Sequence, residues 1–464
     1  MGTNDFLLLC PAAQRLYESC CELPIIDFHC HLSPRAIYED RTFLSIGELM
    51  LSGDHYKWRL MRACGVEEYY VTGDAPWSEK FKRYAACLEQ APGNPMVDWT
   101  RMELAAYFGI HTPLTPKTAD EIWTEANRVI GSKALSPRKF IDASNVRYIA
   151  TTDDPADELS FHQKLRQHGM MRTMVRPTFR ADNLLTIRRE GSSTYVGKLG
   201  VIAGVTIRSY KDYLEAVSKR LVDFSRMDCR FIDVGIERFP LSRGNCQQAE
   251  TAFQKGVAGL PMSDEEYDAF LFETLAFLAG ECRRLDMTLQ LHLGAVRNPN
   301  SVLYEHLGPD CGGDCMGDLV PQRALCRLLD AVNKRSGLPR IILYPCHGGT
   351  LRVYSRQLSR RDGGAGLVVQ RPPLRHRPAA SGFFGQPAPG DLSRHGHRQP
   401  QLHFLYPPRL FPPDFCLLSG TNRRIRPIFG AGGHGSDPPR LLRQRRAVGQ
   451  PAVAALSHIG RHIL

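Results

Sequence analysis

The chain has 464 residues, 43% of them apolar, and a formal net charge of +11. That length suits one large barrel with insertions, or two domains. It has no run of about 18 apolar residues, which excludes a transmembrane helix. The short block Phe6-Leu7-Leu8-Leu9 lacks the basic flank and cleavage site of a signal peptide. Met1-Gly2 opens a myristoylation-like pattern, but Phe6 stands where Ser or Thr is required. The 14 Cys lie at scattered spacings without paired CxxC units, with Cys311 and Cys315 nearest to a pair. This usage predicts reduced thiols and a cytoplasmic location. The charge is unevenly shared: residues 1–344 hold 41 basic and 44 acidic groups, whereas residues 345–464 hold 18 Arg, no Lys, 4 Asp and no Glu. The positive excess therefore belongs to the last part alone.

An amphipathic lead, Leu7 to Cys21, predicts a helix. Pro24 to Leu32 then reads as a buried strand ending in His29-Cys30-His31. Residues i and i+2 of a strand share one side, roughly 7 Å apart along the chain. A bend at the strand end can aim both imidazoles at one metal ion, and Asp27 could orient a ring nitrogen. Residues 33–144 show helical periodicity and few strand signals, so they predict a helical insertion after the first strand. Insertions of this length usually serve function.

Strands and helices alternate from there. Val146 to Thr152 predicts a strand, followed by a helix from Pro155 to about His168. Met174 to Phe179 predicts the next strand, ending at Arg180. Gly200 to Thr206 is a weaker strand candidate before a helix at Tyr210 to Phe224. Cys229 to Gly235 and Met287 to Leu293 predict strands, separated by a helix that Ser263 and Glu266 open as a capping box. Leu319 to Lys334 predicts a helix and Arg340 to Tyr344 a strand. Apolar strands alternating with helices imply a parallel sheet covered by helices. His29, His31, Asp153, Asp154, Arg180, Asp233 and His292 recur at strand ends, which favours a (β/α)8 barrel with these groups on one rim. Each has a plain structural alternative: Asp153 could cap a helix, His292 could be a satisfied core histidine, and Arg180 could pair with an internal carboxylate. Together they make a divalent metal site plausible, beside an arginine clamp for a carboxylate.

Several blocks now carry a resemblance. They are Ile26-Asp27-Phe28-His29-Cys30-His31-Leu32, Gly53-Asp54-His55-Tyr56-Lys57-Trp58-Arg59, Gly65-Val66 with Thr72-Gly73-Asp74, Thr151-Thr152-Asp153-Asp154-Pro155, Pro177-Thr178-Phe179-Arg180, and Leu291-His292-Leu293-Gly294-Ala295-Val296-Arg297-Asn298. In this order they resemble the uronate (glucuronate) isomerases of the amidohydrolase superfamily, from about Phe6 to Tyr344. The resemblance implies an aldose–ketose isomerase acting on D-glucuronate and D-galacturonate through an enediol. It implies that His29 and His31 hold a divalent metal, often zinc. It further implies that His55 and Tyr56 contact the sugar, that Arg180 binds its carboxylate, and that His292 and Arg297 line the substrate site. The expected partner is a small uronate sugar, with no membrane and no specific nucleic acid, and a homo-oligomer is compatible. The alternative on the same barrel is another metal-dependent hydrolase. Such an enzyme usually needs further ligands, and Val234 stands where the family has a histidine.

The last part departs further. The family ends on a strand bearing Thr-Asp-Ser-Arg-Ser, whose Asp joins the two histidines, and this chain has no such motif. Residues 345–464 hold 15 of the 32 Pro and 8 of the 16 His. A basic tail favours phosphate contact, but Arg, Pro, Gly and His without Lys or Glu is the composition of GC-rich DNA read out of frame. Shifted one nucleotide, His395 to Leu402 permits Met-Ala-Thr-Asp-Ser-Arg-Ser-Phe, and Gly366 to Pro372 permits Ala-Trp-Trp-Phe-Asn-Asp-His. These are the missing family blocks in order. The reading is a frameshift between Tyr344 and Ala365, making 1–344 the barrel domain and 345–464 an aberrant tail. It predicts an irregular tail, loss of the last one or two barrel strands, and little isomerase activity.

Overall fold

The computed structural model describes residues 10–169, 171–318 and 320–346, with the backbone of Leu367–Val369. The chain divides into two compact units, Met1–Glu22 with Pro408–Leu464, and Leu23–Pro407. The described part of the first unit is the helix Pro11–Glu18, on which Ala13 and Tyr17 are buried among Cys10, Leu16 and Cys21. Pro11 sits where a missing N–H costs nothing.

The second unit is built on parallel strands. In chain order they are β1 (Ile25–Asp27), β2 (Val146–Ala150), β3 (Met174–Arg176), β4 (Phe179–Arg180), β5 (Phe231–Ile236) and β6 (Thr288–Leu293). A short antiparallel pair follows, β7 (Ala295–Val296) with β8 (Cys315–Met316), then β9 (Arg340–Pro345) and β10 (Leu367–Val369). The ladders run β1-β2-β3 and β4-β5-β6-β9-β10, and a parallel bridge from Asp153 to Phe179 joins the two sheets. This is the wall of the predicted (β/α)8 barrel. Pro177, which has no N–H, separates β3 from β4 and accounts for the break in that predicted strand.

Alternation along the strands sets up the site. Ile232, Val234 and Ile236 of β5, Leu289, Leu291 and Leu293 of β6, and Ile341 and Leu343 of β9 pack into one core under the helices. Asp233, Gln290, His292 and Tyr344 therefore take the opposite side. Register places Gly235 beside His292 and His292 beside Tyr344.

The insertion is helical, as predicted. Its helices include Ile46–Leu51, His55–Ala63, Trp77–Gln90, Pro95–Glu103 and Ala119–Lys133. They bury Phe81, Tyr84, Ile122, Ile130 and Phe140 in a second core shared with β1 and β2. Each such side chain contributes about 1.5–3 kcal/mol. Asp54 starts the helix His55–Ala63 by accepting the N–H groups of Tyr56 (3.1 Å) and Lys57 (3.0 Å). The Ser263 capping box is present, and it opens a 21-residue helix, Asp264–Arg284.

Three local expectations are corrected. The helix after β2 starts at Ser160 rather than Pro155, because Asp154 accepts the Ala156 N–H at 2.8 Å and holds the intervening residues in a turn. Residues 200–203 are helical, the end of Ser192–Ala203, so the weaker strand candidate is absent there. After Tyr344 the backbone does supply a strand, since β10 pairs parallel with β9 through Leu367↔Ile341, Val368↔Ile342 and Val369↔Leu343. Leu-Val-Val is a short Pro-free run with two β-branched residues in the Pro-rich sequence, and it can complete a ladder. The rest of the predicted tail, 347–366 and 370–464, lies outside the described residues.

Candidate active site

The predicted strand to Leu32 stops at Asp27, and the chain bends at Phe28 and His29. Cys30 and Leu32 enter the insertion core, and the Cys30 N–H bonds the carbonyl of Ala150 at 2.8 Å. His29 and His31 face the other way. Their Nε2 atoms lie 3.2 Å apart. Asp27 does not orient a ring: its carboxyl takes the His29 backbone N–H and the Cys30 thiol, and burial pushes its pKa up to about 7. The rings are set by other residues. Gln290 of β6 donates its amide to the Phe28 carbonyl at 2.9 Å, which turns its oxygen toward His29 Nδ1 at 3.2 Å. The proton of His29 is thereby fixed on Nδ1, leaving Nε2 as a lone pair. Thr152 Oγ1 meets His31 Nδ1 at 3.1 Å.

Asp233, fully buried, ties this pair to the other strands. One of its oxygens lies 2.6 Å from His292 Nε2. The other is 3.6 Å from His29 Nδ1 and bonds Arg180 Nη1. Burial pushes the Asp233 carboxyl up, but Arg180, His292 and His29 outweigh it and hold the group well below the usual range. Arg180 also reaches Asp182 at 2.8 Å, and Asp182 accepts the Gly235 N–H at 2.6 Å. Glycine is required there, because a Cβ would stand 2.6 Å from the Asp182 carboxylate and 3.1 Å from Arg180 Nη2. Burial lowers the pKa of His29 and His31, and that of His292 to about 4. The Tyr344 ring stacks on His292, with centroids 4.4 Å apart and planes 5° from parallel.

The donor set fits a divalent ion. Ligand atoms of His29, Asp233 and His292 lie within 4.8 Å of one another. The 3.2 Å between His29 and His31 Nε2 is close to the about 3.3 Å that separates two imidazole nitrogens bound at about 2.05 Å in a tetrahedron. Neutral imidazoles with a carboxylate suit zinc and its neighbours among the divalent metals.

A second group surrounds the start of the helix His55–Ala63. The rings of His55 and Tyr56 are 4.6 Å apart, and burial lowers the pKa of the first and raises that of the second. Among the described residues, the buried His55 Nδ1 has no hydrogen-bond partner. Arg59 of this helix bonds the carbonyls of Gly312 (2.9 Å) and Asp314 (2.8 Å). Arg297, expected to meet substrate, is engaged with Asp314 at 2.7 Å. It braces the segment that follows β7. Of the residues expected at the site, the fold brings His29, Arg180 and His292 against Asp233, and His31 against His29. Sequence reasoning places Asp233 among the strand-end groups of a divalent metal site but does not single it out, although a lone carboxylate in an otherwise apolar strand is the available signal. Gln290, Asp182 and Gly235 carried no comparable mark.

The comparisons with known proteins agree with this geometry. A family model described as glucuronate isomerase matches residues 1–358. A uronate isomerase of Caldanaerobacter subterraneus subsp. tengcongensis is 43% identical over 342 residues, covering 74% of this chain and 73% of the relative. One of Bacillus subtilis is 40% identical over 345 residues, with the same coverage. The solved uronate isomerase of Thermotoga maritima superposes with a TM-score of 0.80 at 26% identity, covering 92% of this chain and 94% of that one. The glucuronate isomerase of Caulobacter crescentus shares the fold, with a TM-score of 0.77 at 22% identity and 92% of both chains covered. A rim of imidazoles and an arginine on a parallel barrel, with these matches across three-quarters of the sequence, places the chain in the glucuronate isomerase family of aldose–ketose isomerases.

Proposed function

We propose that this barrel isomerises D-glucuronate to D-fructuronate and D-galacturonate to D-tagaturonate in the cytoplasm. The observation that carries the reading is Arg180, bonded to the same carboxylate that faces His29 and His292. A fixed, permanently charged fork beside a cation site suits an acidic sugar with a reactive carbonyl at its other end. His29, His31, Asp233 and His292 would hold the ion, which we take to be zinc, and when bound it would supply a Lewis acid for a sugar oxygen. Arg180 binds the uronate carboxylate. His55 and Tyr56 flank the sugar. Tyr56 keeps its proton, since burial raises its pKa, and can donate to the developing enediol oxygen. Burial lowers the pKa of His55, and its Nδ1 has no hydrogen-bond partner among the described residues; it is suited to carry the proton from C2 to C1.

The tail bears on turnover. The matching family model ends at residue 358, inside the interval 344–365 where we infer that the reading frame changes. We therefore expect little ketouronate from this exact chain. A version with residues 345–464 replaced by the shifted reading should convert D-glucuronate, followed by NMR. No product from the restored version would overturn the functional reading; full turnover by the present chain would overturn the frameshift reading.

A further inference from the structure

The charges around Arg180 do not favour an incoming carboxylate. The guanidinium is shared by two carboxylates, Asp182 at 2.8 Å and Asp233 in direct contact. Asp233 is fully buried and the Arg180 side chain is only 13% exposed. The guanidinium already serves two acceptors. A sugar carboxylate reaching it would be the third carboxylate on one arginine, in a buried site where like charges repel more than in water. It would also compete with Asp233 for the arginine.

Resting on the functional reading above, we propose that Asp233 couples the two halves of the site: a divalent cation at the histidine cluster and a uronate carboxylate on Arg180 bind with strong positive cooperativity. The geometric reason is that Asp233 faces both ways. One oxygen looks to His292, and the other lies between His29 and Arg180. A cation seated among His29, Asp233 and His292 places positive charge directly beside the Asp233 carboxylate. It also draws Asp233 off the guanidinium, freeing N–H donors of Arg180 for the substrate. Asp182 remains as the brace that keeps the fork aimed, held in turn by the Gly235 N–H at 2.6 Å. Site selectivity for an acidic sugar is then a property of the metal-loaded chain, not of Arg180 alone. Coupling between two binding events is reciprocal, so each ligand must tighten the other by the same factor.

The test is calorimetric binding, which needs no turnover. The full chain is stripped with a chelator, its folding is checked by thermal unfolding, and D-glucuronate is titrated with and without saturating Zn²⁺. D-glucuronamide, which keeps the ring but lacks the charge, is titrated in parallel. The expected result is that Zn²⁺ raises D-glucuronate affinity by about tenfold or more, with a much smaller gain for the amide. D-glucuronate should raise Zn²⁺ affinity by the matching factor. Equal gains for acid and amide would show that the ion acts through hydroxyl groups, and would overturn the coupling; so would no gain at all. A folded chain that binds D-glucuronate in neither state overturns the functional reading as well.

Discussion

Lys57 is the most exacting test of how the insertion presents His55 and Tyr56. It is 1% exposed, and its ammonium lies 3.1 Å from Asp54 and 3.2 Å from Glu103. Burial alone would lower its pKa, but Glu103 and Asp54 more than offset this, so Lys57 stays charged. Lys57→Met fills most of the volume and removes the charge. Asp54 keeps the two helix N–H groups it caps, whereas Glu103, 3% exposed, loses its cationic partner. Removing one partner of a buried pair costs about 3–5 kcal/mol. Lys57→Met should therefore lose about that much unfolding free energy in urea at pH 7. The loss should shrink at low pH, where the carboxylates that faced the lost ammonium can take a proton. Replacing Glu103 as well, in Lys57→Met with Glu103→Leu, should recover part of the loss, because one of the two buried carboxylates facing the lost ammonium is removed with it. A loss below about 1 kcal/mol for the single variant, independent of pH, would refute the argument that this triad anchors the helix.

Other outcomes follow from the same contacts. Gly235→Ala forces a Cβ to within 2.6 Å of the Asp182 carboxylate; it should weaken D-glucuronate binding, by about 1–3 kcal/mol if the strain is typical of overpacking, with the circular dichroism spectrum unchanged. Arg180→Met should lower metal-loaded D-glucuronate affinity by about 1.5–3 kcal/mol and should raise Zn²⁺ affinity, since Asp233 loses a competitor; unchanged Zn²⁺ binding would count against a shared carboxylate. Burial lowers the pKa of His162 from 6.5 to about 4. Its neutral form is the one the fold accepts, so its contribution to stability is complete above 6.5 and disappears as pH falls through about 4. The urea midpoints of the protein and of His162→Gln should therefore converge across that window.

Much of this protein is legible one segment at a time. His29 and His31 are marked as a pair by their spacing of two at the end of an apolar run, although the strand itself stops at Asp27 and a bend turns the rings together. The Ser263 capping box shows its helix because both partners lie three residues apart. The helical insertion is visible from its periodicity, and the blocks around His55, Arg180 and His292 are recognisable where they stand. These features depend on neighbours in sequence. The helix start at Ser160 was missed even at this range, because a side chain, Asp154, outcompeted the helix for the backbone.

Asp233 shows the other case. In its own strand it is one carboxylate among Phe231, Ile232, Val234 and Ile236, with no local partner to reveal it. Only the barrel sets it between His29, His292 and Arg180, residues brought from three other strand ends. Gln290 likewise fixes the His29 tautomer from a strand 261 residues away, and Gly235 is needed only because Asp182 closes over it. The order of residues determined which groups reach the rim, since periodicity is a local property. Which of them share a charge was decided by the lateral order of the parallel strands, because electrostatic and hydrogen-bond partners are chosen by distance in space and the chain does not encode that distance locally.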